Sequence, residues 1–204
     1  MAEKKNNIAL KIKALQLFHQ DGIIDIISGA VLLNFGLDIL NKSETTSLYT
    51  WIPILLLSSL KNKTTIPRLG YDSLGGDKQQ IKRWTFFPAA GMVLVMVVLG
   101  IFILGDRIDL RDANILPIPG NFQNLIGSSI LAVSLFAAGL LIHLKRFYIY
   151  AAVALGASSI NYFFLPIYFP FFLTAGVMLV NGARLMITFT RAYPVNDERK
   201  NNEK

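Results

Sequence analysis

Cysteine is absent from this chain of 204 residues. Disulfides, thiolate metal sites and cysteine nucleophiles are thereby excluded. Charge is scarce as well. Asp, Glu, Lys and Arg together make up 16% of the residues, against about 25% in an ordinary soluble domain. A soluble protein of this length needs more polar side chains than that to cover its surface. Histidine occurs twice, at His19 and His143, both expected at the cytoplasmic interface and neither with an evident Ser or carboxylate partner inside a span. No HExxH, GxSxG, phosphate-loop or dinucleotide pattern is present. Gly75-Gly76 lacks the Lys-Ser or Lys-Thr that a phosphate loop requires. The expectation is therefore a protein without catalytic residues, cofactor or metal. Residues 1–21 also lack a continuous apolar region and a small-residue cleavage site, so the first apolar segment is expected to act as an uncleaved insertion signal.

What the chain does have is apolar sequence in long runs, 53% of its residues being hydrophobic. A bilayer-spanning helix takes about 20 mostly apolar residues. Six segments fit that description: 22–40, 46–60, 85–105, 123–142, 147–165 and 168–190. The second is short, rising only about 22 Å as a helix, and has to thin the bilayer locally or borrow neighbouring residues. The fold class expected is all-α, a polytopic integral membrane bundle of six transmembrane helices.

The positions of the basic residues give the orientation. Of the 20 Lys and Arg residues, all but Lys42, Arg107 and Arg111 lie in alternate gaps: the N-terminus, the loop 61–84, the turn 143–146, and Arg184 with the C-terminal end. Cytoplasmic loops are enriched in Lys and Arg, so both termini are expected in the cytoplasm of a cell (plasma or inner) membrane. Five spans would put the N-terminal basic cluster on the opposite side from the others, which argues for counting 46–60. The net charge of +7 flanks apolar segments and forms no basic domain, so nucleic acid is not an expected partner.

Three polar regions complete the organisation. In residues 1–21, Ile8, Ile12, Leu15 and Phe18 recur at helical spacing beside Lys11 and Lys13. They predict an amphipathic helix on the cytoplasmic surface, or a cytoplasmic extension of the first span. The loop 61–84 is basic, and Lys61, Lys63, Arg68, Lys82 and Arg83 are candidate contacts for anionic lipid headgroups. Within it Ile66-Pro67-Arg68-Leu69-Gly70-Tyr71 is expected to be ordered, with Leu69 and Tyr71 docked on the membrane surface. The tail 191–204 is polar, has no apolar face to bury, and is expected to be disordered. On the outer side Asp106, Asp109 and Asp112 are spaced to hold a cation weakly, with Arg107 and Arg111 among them to neutralise them.

Ionisable groups at membrane depth are the best functional candidates. Asp25 lies about 4 Å inside the first span and Arg184 about 9 Å inside the sixth, measured from the cytoplasmic end. An ion pair between them is feasible; the alternative is that Arg184 snorkels to the interface and Asp25 faces interfacial water. Asn34 and Asn181 lie deeper, in the similar stretches Gly29-Ala-Val-Leu-Leu-Asn34 and Gly176-Val-Met-Leu-Val-Asn181. They can bond across the helices as structural glue or line a polar site for a small ligand. Gly22, Gly29 and Gly36 recur every seven residues, which puts them on one face and lets a neighbouring backbone come close. Ala152 and Gly156 are a second such pair.

Asp21-Gly22-x2-Asp25-x3-Gly29, the Ile66-to-Tyr71 loop, and Gly182-x-Arg184 with Arg191-x-Tyr193-Pro194 resemble a group of small, uncharacterised prokaryotic multi-pass membrane proteins. The resemblance covers most of the chain. It implies a topology and a prokaryotic membrane, and no activity. Two functions stay in view: a non-enzymatic accessory or assembly component that meets lipid headgroups, a protein partner or a second copy of itself, and a small transporter or channel using Asp25, Asn34, Asn181 and Arg184.

Overall fold

A computed structural model describes residues 16–41, 52–69, 86, 90–91, 120–142, 144–164 and 166–194. Most of the expected surface helix, nearly all of segment 85–105, Tyr71, Lys82, Arg83, the acidic triplet Asp106, Asp109 and Asp112, and all but the first residues of the tail lie outside these residues. The described chain is helical, with no strand. Its helices are α1 (Ile23–Leu40), α2 (Ile52–Thr64), α3 (Ile66–Leu69), α4 (Gly120–Ile142), α5 (Lys145–Phe164) and α6 (Phe169–Ala192).

The helix ends follow from local chemistry. Gly22, at φ 74°, turns the chain into α1, a left-handed conformation that glycine adopts without penalty. The Asp21 carboxylate accepts a hydrogen bond from the Ile23 N–H at 3.1 Å, satisfying one of the orphan donors of the first turn. α2 breaks into α3 just before Pro67, which lacks an N–H and crowds the carbonyl four residues back. Pro170 sits at the start of α6, where a missing N–H costs nothing.

α1 and α6 form one broad antiparallel contact, and α4 and α5 another; α5 also packs on α6 and α1 on α2. The glycine stripe explains the first. A Cβ on Gly22 would collide with the Gly182 carbonyl; on Gly29 it would lie 2.9 Å from Leu179 Cγ, and on Gly36 3.1 Å from the Phe172 ring. Gly182 answers from α6, where a Cβ would sit 2.9 Å from the Ile26 nitrogen. The sevenfold spacing read from the sequence is therefore the α1–α6 seam. Gly156 behaves differently: a Cβ there would meet nothing within 4 Å.

A core of Ile24, Phe35, Leu57, Leu131, Tyr150, Phe171 and Met178 runs between the helices. A smaller cluster of Phe18, Ile66, Leu69 and Phe189 closes one end. Leu69 thus docks on protein, not on the membrane surface as expected, because α3 folds back under Phe18. Residues 16–18 are helical and Phe18 is fully buried.

The outer faces carry large apolar side chains, among them Leu55 at 77% and Val180 at 73% exposure, with Val133, Phe136, Ile149 and Ile187. By length and composition α1 and α6 can each cross a membrane. α2, at 13 residues, rises only about 20 Å.

Candidate functional site

The start of α1, the end of α2, the start of α5 and the second half of α6 meet at one end of the bundle. There they bring together side chains that sequence distance keeps far apart. Asp21 Oδ2 accepts from Lys61 Nζ at 2.8 Å and, through a short hydrogen bond, from the Thr65 hydroxyl. Lys61 Nζ also donates to the Phe18 carbonyl at 2.7 Å and stands 4.1 Å above the Phe18 ring centroid. The ammonium is 1% exposed; its donors are taken by a carboxylate, a carbonyl and an aromatic face.

One helical turn further in, Asp25 Oδ2 pairs with Arg146 Nη2 at 2.8 Å. Its other oxygen accepts from the Tyr150 hydroxyl at 2.7 Å. Asn181 Nδ2 donates to that same hydroxyl oxygen at 2.5 Å. The Arg146 guanidinium further donates to the His19 carbonyl. Two carboxylates and two cations are thus enclosed together and balance. Removing one member of such a pair strands a buried charge and costs about 3–5 kcal/mol, although the intact pair adds little over an apolar substitute.

His19 lies against this cluster at 0% exposure, its ring edge-on to Phe18 with centroids 5.1 Å apart. Neither ring nitrogen has a hydrogen-bond partner among the described residues. Burial, with the charges of Lys61 and then Arg146, holds its pKa well below the ordinary histidine range. On the far side of α3, Arg68 Nη1 donates to the carbonyls of Tyr193 at 2.9 Å and Thr190 at 3.3 Å, capping the free carbonyls at the end of α6.

The structure rearranges the sequence-based expectations. Asp25 is at the centre, but its cation is Arg146, and Arg184 is exposed on α6. The reason is rotational: Arg184 faces outward while Gly182 faces α1. Asn181 enters the network through Tyr150 and not through Asn34, which is half-buried nine residues along α1 from Asp25. Lys61 does not reach lipid headgroups, because Asp21 and Phe18 hold it inside. Arg68, half-buried, serves α6. Lys63 is exposed.

Arg146, Tyr150, Asp21, Thr65 and His19 are members of the site that sequence reasoning passed over. A signal existed. Asp21/Asp25, Lys61/Thr65 and Arg146/Tyr150 are each four residues apart, the spacing that puts two side chains on one helix face. All three pairs fall at span ends assigned to the same side of the membrane.

In comparisons with family models, curated proteins and solved structures, nothing matches this chain.

Proposed function

We propose that this chain is a six-span integral membrane protein with both termini in the cytoplasm, and that it works as a non-enzymatic accessory or assembly component. One observation carries the reading. Among the described residues the molecule encloses Asp21, Asp25 and Lys61 at one end and turns large apolar side chains outward on α2, α4, α5 and α6. Water opposes that arrangement and lipid favours it. The α2 end, the α5 start and the α6 end lie at the enclosed end, the side to which the basic residues assign the cytoplasm. Exposed Lys63, Lys145 and Arg191 place cations at this end for anionic headgroups.

A small transporter or channel is the second reading, favoured by the Asp25–Tyr150–Asn181 chain that joins α1, α5 and α6. It is the weaker one, since both Asp25 oxygens are engaged and Arg184 points away.

The absence of cysteine makes the test clean. Single cysteines at Lys63 and Lys42 are exposed to a membrane-impermeant maleimide in intact cells and in inverted vesicles. The topology requires Lys63→Cys to label only in inverted vesicles and Lys42→Cys only in cells; labelling of both from one side rejects it. A pulldown from mild detergent then tests the accessory role. A stable partner supports it, and recovery of this chain alone as a monomer counts against it.

A further inference from the structure

The stretch from Gln16 to Asp21 is held on the bundle by two backbone clamps. The Phe18 carbonyl accepts from Lys61 of α2, and the next carbonyl, that of His19, accepts from Arg146 of α5. Between those clamps sits an imidazole that is fully enclosed and, among the described residues, unpartnered on both nitrogens. A proton on that ring would find no acceptor among the described residues. It would also add a third positive charge to a compartment whose two cations are already matched by Asp21 and Asp25. Among the described residues, the apolar side chains clustered with Phe18, namely Ile66, Leu69 and Phe189 with Leu17 and Tyr193 at their edge, add no carboxylate. We propose that His19 is the trigger of an acid-sensitive latch: neutral, it seats residues 16–21 between α2 and α5; protonated, it drives them off the bundle.

The direction follows from linkage. The released segment binds a proton at the ordinary histidine value of about 6.5, whereas the seated ring resists protonation because it is buried beside Lys61 and Arg146. The seated form is therefore fully favoured above about pH 6.5, and each pH unit below that favours release by about tenfold until the seated ring itself titrates. Release would uncover Lys61, Thr65 and the apolar side chains of Ile66, Leu69 and Phe189.

Spin labels on the full chain in lipid nanodiscs test this, at Gln20→Cys and Asn62→Cys, both exposed positions. A single narrow distance is expected at pH 7.5, broadening toward longer distances with a midpoint below pH 6.5. His19→Phe keeps the aromatic contact and cannot be protonated, so its distance should stay narrow to pH 5. An unchanged distance in the parent chain down to pH 5 overturns the latch, and so does the same midpoint in His19→Phe. Should His19→Phe fail to fold, His143→Gln leaves His19 as the sole imidazole. Its ring resonance must then titrate at the midpoint of the distance change; titration at a different pH overturns the proposal.

Discussion

Asp25 of α1 is paired with Arg146 at the start of α5, oxygen to nitrogen 2.8 Å apart, with the carboxylate wholly enclosed. Arg146→Gln leaves that carboxylate without its cation and should lower stability by about 3–5 kcal/mol. Asp25→Asn combined with Arg146→Gln removes both charges and should recover most of the loss. Thermal denaturation in detergent of the two single variants and the double one measures the coupling. Additive losses would mean that the pair contributes nothing as a pair.

Lys61 and Lys63 stand two residues apart on α2 and should respond oppositely. Lys61→Met strands Asp21 and the Phe18 carbonyl and should cost about 3–5 kcal/mol. Lys63→Met changes an exposed side chain and should stay within about 0.5 kcal/mol. Equal effects in the same melting assay would contradict the buried placement of Lys61.

The two lysines also mark what a sequence reader can and cannot see. Residue type and spacing marked the apolar segments that contain α1, α2, α4, α5 and α6, and Gly22, Gly29 and Gly36 announce a close contact on one face of α1 without naming α6 as the partner. They also marked Asp25 and Asn181 as polar groups at unfavourable depth. They did not reveal which cation Asp25 meets, because that depends on the rotation of α6 and the arrival of α5. Gly182 and Arg184 are two residues apart, so about 200° separates them around the helix; if Gly182 meets α1, Arg184 cannot. In the sequence Lys61 and Arg146 serve as orientation signals, Lys61 also as a candidate headgroup contact, and such a use of a charge conceals its contacts.

Glycine substitutions separate a tight seam from open space. Gly22→Ala meets both a left-handed backbone and the Gly182 carbonyl, and should cost more than the about 1–2 kcal/mol of the backbone conformation alone. Gly156→Ala has nothing within 4 Å and should be neutral or mildly stabilising through helix propensity. Melting temperatures that order the two the other way would show that the α1–α6 contact is misplaced.

Arg68 and Arg184 test the end of α6. Arg68→Ala removes the donors to Thr190 and Tyr193 and should fray the last turn, costing about 1.5–3 kcal/mol as a charged hydrogen bond is lost. Arg184→Ala should change stability by less than about 0.5 kcal/mol. Amide exchange at residues 189–193 reads the first effect directly, and unchanged protection there in Arg68→Ala would remove the capping role.

The enclosed pairs differ in how long synthesis keeps them apart. Asp21 and Lys61 are 40 residues distant in the chain, so the first clamp can close while translation continues. Asp25 waits for Tyr150, 125 residues later, which at ribosomal speed is roughly 6–25 s. For that interval α1 carries a lone carboxyl group; in the proposed membrane topology it lies near the interface, where its cost is smaller than at the bilayer centre. In that topology the nascent helix is favoured to keep Asp25 among the headgroups until its partners arrive. The Asp25 site is complete only once α5 has arrived, so chains truncated before Arg146 should be degraded faster than the full chain.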